Sequence, residues 1–242
     1  MLKSPWAKIL VFLLCLAPFA RLAAVALAYI LQPDLSTGLW RFLVPSLPPN
    51  PLDFFTHFTG DWTIRLIVAT LAITPLRKLL GVPDLIRFRR MIGLFAFFYG
   101  CLHFLTYLWF DKLFDLHEIW KDVAKRPFIT AGFTAFVLLV PLALTSTKGW
   151  IRRLGGKRWQ RLHRLIYVSA VAAVVHYYWL VKSDIRLPVL YGSLVALLLL
   201  YRLVVSLMRR SRERAATVGA APARGNRGAR PVARPAPLRR SC

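Results

Sequence analysis

Acidic residues and cysteines are scarce in this chain, and one common cofactor signature is missing altogether. Asp and Glu total 10 against 34 Lys and Arg, and no carboxylate falls inside the long apolar runs. That argues against a transporter whose buried acids relay protons or bind cations. The three cysteines, Cys15, Cys101 and Cys242, form no C-x-x-C pair, no zinc-ligand pattern and no C-x-x-C-H attachment site. Cys15 and Cys101 sit in apolar runs and read as small packing residues, so no disulfide is expected. There is no G-x-G-x-x-G string and no soluble domain to carry one, which excludes a resident nicotinamide site. No internal or inverted repeat stands out in the sequence.

Apolar runs are what the chain has in abundance. It is 57% hydrophobic with a mean hydropathy of +0.51, and several stretches approach the ~20 residues needed to cross a bilayer core of ~30 Å. The backbone of such segments satisfies its own hydrogen bonds only as helix, so the fold class is an all-α membrane protein, a transmembrane helical bundle. A net charge of +24 would suggest nucleic acid in a soluble protein. Here its placement sets topology, and no nucleic-acid partner is expected.

The first run, Trp6 to Leu31, is too long for a signal-peptide core and is broken by Arg21, so it reads as an uncleaved span. Arg21 either snorkels or meets a buried anion. A proline-rich connection, Gln32 to Asp61, follows. Further spans are expected at about 62–80, kinked at Pro75, and at about 91–110, 127–147, 160–181 and 189–208. Residues 111–126 mix both charge signs and read as a short interfacial helix, in which His117 is a solvated residue.

With both termini cytoplasmic, the basic residues of the N-terminal end, the second and fourth loops and the tail gather on the inner side. Arg41, Lys112, Lys121, Lys125, Arg126, Lys182 and Arg186 remain outside. The positive-inside rule thus predicts six spans with both ends in the cytoplasm. The domain plan is a first span and periplasmic loop over 1–61, a helical core over 62–208, and a basic tail over 209–242. The tail has almost no bulky apolar residue and is expected to be disordered. It and the basic loops are suited to anionic lipid head groups.

Histidines within such runs are costly and mark functional sites. His103 and His176 lie on spans of the same direction, both in the outer half, so together they suit the two axial positions of one haem iron. His163 precedes His176 by 13 residues, a rise of ~20 Å with the two imidazoles about 140° apart on a continuous helix. It belongs to a different site at the inner boundary, where a second haem, a flavin, a quinone or simple head-group contact are all open. The residues level with it on the third span are near Arg89 and Arg90, and no histidine is there. Arg65, at the depth of the outer pair, is a candidate for a haem propionate or a snorkelling residue.

Several strings carry a family likeness: His57-Phe58-Thr59-Gly60, Thr74-Pro75-Leu76-Arg77, Arg87-Phe88-Arg89-Arg90 with Gly93-Leu94, and Leu102-His103 with Thr106-Tyr107. After them come Arg126-Pro127, Thr145-Ser146-Thr147, Trp159-Gln160-Arg161-Leu162-His163 and His176-Tyr177 with Trp179. Over about residues 55–205 the chain resembles the MsrQ (YedZ) family, the membrane subunits of the MsrPQ protein-methionine-sulfoxide reductase system. That family belongs to the ferric-reductase-like transmembrane superfamily. The resemblance implies a haem b protein of the bacterial inner membrane, also described with FMN. Such a protein draws electrons from the quinone pool or a cytosolic flavin reductase and passes them to MsrP, a periplasmic molybdopterin enzyme that repairs methionine sulfoxide. It implies haem-linked roles for His103, His163 and His176. Eukaryotic relatives carry two histidines on each of two helices. The single one on the third span here leaves the haem number at one or two.

The nearest alternative is a b-type cytochrome anchor for another oxidoreductase, or a ferric reductase. From another class, a proton-coupled transporter would use the histidines as relays and would be colourless.

Overall fold

The computed structural model describes residues 4–32, 44, 46–181 and 183–219, and among them every regular element is helical. Helix α1 (Pro5–Leu31) opens with Ser4 Oγ accepting the Trp6 amide at 3.3 Å and with Pro5 in the first turn, where a missing N–H leaves no bond unmade. Most of the proline-rich connection after Gln32, including Arg41, lies outside the described residues.

Helix α2 (Pro51–Leu79) begins within the stretch expected to be loop. Asn50 caps it by accepting the Asp53 amide at 3.3 Å, and Pro51 takes the first helical position. Asn-Pro is a helix-start signal, hidden here among the other prolines. A 3-10 turn, Pro83–Leu85, leads into α3 (Ile86–Thr106), which ends in a π turn, Tyr107–Asp111. The expected interfacial helix is α4 (Leu116–Lys125). Asp115 accepts the His117 and Glu118 amides at 2.9 and 3.2 Å, and the helix buries Ile119 and Asp122 while exposing Leu116 and Trp120.

Helix α5 (Pro127–Leu144) is followed by two short helices, α6 (Lys148–Leu154) and α7 (Gly156–Leu162), where the sequence suggested a basic loop. Gly155 separates them at φ +71°, a backbone region open to glycine. Helix α8 (Leu165–Leu180) starts after a break at His163 and Arg164, so the expected span over 160–181 is not one continuous helix. Lys182 lies outside the described residues.

The last helix, α9 (Arg186–Gly219), runs past the tail boundary expected after Met208. The chain divides after Tyr201 into two units, and within the second Arg209 pairs with Glu213 at 2.8 Å, one helical turn on. Arginine and alanine are good helix formers, so their runs extend a helix without any packing signal. The remainder of the expected disordered tail, 220–242, falls outside the described residues.

Within the first unit α2 lies along α3 and α5 lies along α8, and the two pairs meet where α3 faces α5. Aromatic rings fill that seam: Phe136 stacks on Phe104 at 4.7 Å and on Phe97 at 5.9 Å. The core centres on Ile67, Leu71, Ala96, Tyr99, Leu139 and Ala170. Three buried hydroxyls around it are satisfied, whereas that of Thr74 has no hydrogen bond. Tyr99 donates to the Cys15 carbonyl at 2.9 Å, Ser169 to Ala135 O at 2.9 Å, and Thr70 to Leu66 O at 2.7 Å. Cys15 is buried, and both it and Cys101 are free thiols.

Among the described residues, four helical stretches are long and apolar enough to cross a membrane: Pro5–Leu31, Pro83–Phe110, Pro127–Leu144 and Arg186–Glu213. Many of their large apolar side chains face outward, Leu14, Ile30 and Leu197 among them, each more than half exposed. A surface of that kind is at home in lipid, and the chain is a multi-pass membrane protein. Six spans were expected. Helix α2 is long but carries Asp61 and Arg65 within it, and α8 has 16 residues.

Candidate functional site

A cavity of about 450 Å³ opens between the two helix pairs, lined by residues of α2, α3, α5 and α8 and by the segment around α4. Its size falls in the range of small-molecule and cofactor sites. His103 of α3 and His176 of α8 both border it, and their ring centroids are 6.0 Å apart with the ring planes at 71°. The shared depth read from the sequence therefore becomes a direct pairing across the bundle.

Each imidazole is held by the same device. His103 Nδ1 lies 3.0 Å from the Thr56 carbonyl, and His176 Nδ1 lies 2.7 Å from the Phe128 carbonyl. A carbonyl only accepts, so in both rings Nδ1 carries the proton and Nε2 keeps its lone pair. Both carbonyls sit near the start of a helix, and one turn later on each comes a glycine, Gly60 on α2 and Gly132 on α5. In an α-helix the Cβ of residue i+4 tilts back over the carbonyl of residue i. Glycine at that position uncovers the carbonyl for a second partner. A Cβ on Gly132 would lie 2.7 Å from His176 Nδ1, and one on Gly60 would lie 3.1 Å from His103 Nδ1. The glycines thus let each ring seat directly on the neighbouring helix.

The geometry fits a metal held between the two rings. Metal–nitrogen bonds of about 2 Å to both rings are compatible with the 6.0 Å between their centroids. Two ligands do not complete a site, and among the described residues no three His, Cys, Asp or Glu side chains cluster to do so. The remaining coordination would come from a planar prosthetic group, for which Phe104, Phe133 and Phe136 supply apolar walls.

The rim is charged. Asp122 of α4 meets Lys112 at 2.5 Å, Arg126 at 3.5 Å and the Tyr107 hydroxyl at 3.4 Å, and all four residues border the cavity. The hydrogen bond from Lys112 holds the Asp122 carboxyl below the ordinary carboxylate value, burial works against it, and Arg126 and Tyr107 reinforce it. His57 is there too, paired with Asp53 at 3.2 Å.

The other sequence candidates lie elsewhere. Arg65 does not line the cavity; it is bound to Asp61 at 3.0 Å and to the Tyr191 hydroxyl at 3.1 Å, over the Trp62 ring. Arg21 stands over the Phe58 ring, 5.8 Å from its centroid. His117 is exposed. His163 is separate from the pair. It ends α7, its ring stacks on Trp159 at 3.8 Å, and Nδ1 bonds the Trp159 carbonyl at 3.1 Å. Its Nε2 is buried without a hydrogen bond, although the Leu142 carbonyl and Arg89 are near enough to act on the ring. Arg89 is the residue that register arguments placed at this level.

Sequence reasoning missed Gly60 and Gly132 as site residues, and it missed the Lys112–Asp122–Arg126 group. A signal for the glycines was present. Each lies 43 or 44 residues before its histidine, and isolated glycines in membrane helices mark close approach.

A helical bundle with paired histidines facing a cofactor-sized cavity defines a membrane-embedded class of protein. Residues 59–174 match the family model for the ferric reductase like transmembrane component. The chain is 51% identical to the protein-methionine-sulfoxide reductase heme-binding subunit MsrQ of Herminiimonas arsenicoxydans, over 86% of this chain and 89% of that relative. It is 46% identical to the subunit of the same name from Caulobacter vibrioides, over 80% and 84% of the two chains. With that of Xanthomonas campestris pv. campestris strain 8004 it shares 55% identity over 65% and 72%. The chain belongs to the MsrQ family. No solved structure matches it.

Proposed function

We propose that this chain is the haem b-bearing electron-transfer subunit of a bacterial inner-membrane methionine-sulfoxide repair system. In this reading it takes electrons from the quinone pool or a cytosolic flavin reductase and delivers them to a periplasmic MsrP-like molybdopterin enzyme. The observation that carries it is the His103–His176 pair, two imidazoles with unprotonated Nε2 atoms that border one cavity, 6.0 Å apart between centroids.

When bound, a haem iron supplies one-electron redox chemistry. The chain's own residues do the rest. His103 and His176 would hold the iron through Nε2. The Thr56 and Phe128 carbonyls fix their tautomers and raise their basicity, as outer-shell partners of ligating histidines do. The phenylalanine walls exclude water, and Lys112 and Arg126 at the rim suit the propionates better than Arg65, which already has partners.

His163 is proposed as the contact to a second cofactor, haem or FMN, at the inner end. Its buried, unbonded Nε2 favours that reading. Six spans with cytoplasmic termini are proposed by counting α2 and α8, each packed lengthwise on a spanning partner. The domain plan of a 1–61 entry segment, a 62–208 core and a 209–242 tail goes with it, as do anionic lipids at the basic loops.

The reduced-minus-oxidised visible spectrum of the detergent-purified protein, with a haem count, tests this. A b-type signal lost in His103→Ala and His176→Ala but kept in His163→Ala is the expected result. A colourless wild-type protein, made with ample haem, would overturn the reading.

A further inference from the structure

A second hollow, of about 510 Å³, lies between α1 and α3. These helices run in parallel register. Phe12 meets Phe95 at 5.2 Å between centroids, Phe19 meets Phe98 at 5.3 Å, and Tyr99 reaches the Cys15 carbonyl. That register brings Lys8, near the start of α1, level with Arg87 and Arg90, near the start of α3. All three line the hollow, and its other walls are apolar, Phe12, Leu94 and Phe95 among them.

The three cations have no acidic partner among the described residues, and Asp84 in the 3-10 turn before α3 pairs with none of them. Neither helix has an acidic residue in its first turn. The positive ends of two helix dipoles add to the same charge. Directly beside this charge Phe12 and Leu94 stay 45% and 37% exposed. The hollow therefore asks for a ligand with an anionic end and an apolar body. An uncharged lipophile would leave the cations unmatched, and a soluble phosphate would leave the phenylalanine wall bare.

We propose that the α1–α3 groove binds one anionic phospholipid, its phosphate on Lys8, Arg87 and Arg90 and an acyl chain along Phe12, Leu94 and Phe95. The inference rests on the chain's placement in a bilayer and is independent of the cofactor reading. Such a lipid would tie the first span to the histidine-bearing helix α3.

Native mass spectrometry of the full chain in detergent, offered equal phosphatidylglycerol and phosphatidylcholine, tests it. One phosphatidylglycerol retained in at least about tenfold preference is expected, as for a cluster of interfacial cations. The Lys8→Gln/Arg87→Gln/Arg90→Gln variant should lose that preference. A Lys121→Gln/Lys125→Gln/Arg186→Gln variant, with the same charge removed at exposed positions outside the basic loops, should keep it. Leu94→Trp, which fills the groove and leaves every charge in place, should also lose the bound lipid. Equal retention of the two lipids, equal loss in both charge variants, or displacement by glycerol 3-phosphate as effective as by phosphatidylglycerol would each overturn the proposal.

Discussion

Gly132 stands against His176 as Gly60 stands against His103. In each case the histidine seats its ring on a glycine of the antiparallel neighbour and bonds the carbonyl one turn before it. The two helix pairs, α2 with α3 and α5 with α8, therefore repeat one local design around the cavity. The repeat is invisible as sequence similarity because a glycine and a histidine define it, and a backbone carbonyl completes it.

The two glycines differ in tightness, and that difference is measurable. A methyl at Gly132 would come within 2.7 to 3.0 Å of three His176 ring atoms, whereas at Gly60 the nearest approach is 3.1 Å. Gly132→Ala should displace the His176 ring and lose most of the bound haem per mole of purified protein. Gly60→Ala should keep a larger share, with a stability cost at the low end of the ~1–3 kcal/mol typical of overpacking. Equal haem content in the two variants would contradict this ranking.

Tyr99 joins α3 to α1 through its bond to the Cys15 carbonyl at 2.9 Å, with the side chain fully buried. Tyr99→Phe removes the donor, while the carbonyl stays within its helix. The expected cost is about 1 kcal/mol, read as a lowered thermal midpoint in detergent with haem content unchanged.

Trp159 anchors the His163 region. It stacks on His163 and donates Nε1–H to the Thr145 carbonyl at 2.9 Å. Trp159→Ala should destabilise by roughly 2 kcal/mol, less than for a fully buried tryptophan, and should leave the spectrum of the His103–His176 site intact. A changed spectrum there would mean that the two sites are coupled.

Asp122 makes the rim sensitive to acid. Its folded carboxyl lies below the ordinary value of 3.8, chiefly through the hydrogen bond from Lys112. A depressed carboxylate stabilises fully above the unfolded value and loses that contribution as pH falls through the folded one. The wild-type protein should therefore lose stability below about pH 4 by this route. Asp122→Asn should be less stable at neutral pH and show a shallower decline on acidification, followed by thermal unfolding across pH 3 to 7.

Much of the fold was legible because hydropathy and helix signals are local. The first span, expected from Trp6 and starting at Pro5, the start of α5 at Pro127, the interfacial α4 and the nearness of His163 to the Arg89–Arg90 level all follow from local pattern. The early start of α2 at Pro51 was missed because its Asn-Pro cap stands in a run of prolines. The break before α8 was missed because it falls at His163 and Arg164, with no proline or glycine there to mark it. That break also removes the basis for the 140° angle between His163 and His176, since the helix is not continuous between them.

Arg65 shows where local reasoning ended. It was expected at the depth of the histidine pair, but the α2 residue against His103 is Gly60, five positions earlier, and the Arg65 guanidinium goes to Asp61 one turn away and to Tyr191 of α9. Depth along a helix fixes a level and leaves the direction around the axis to packing.

By itself, the sequence determined a helical membrane protein with two histidines at one level, because hydrophobic length and rise per residue depend on the chain alone. Tertiary structure decided which carbonyl holds each imidazole, which glycine it rests on and which cations face the cavity. Those choices depend on contacts between residues some 47 positions apart, where a rotation of one helix about its axis exchanges every partner.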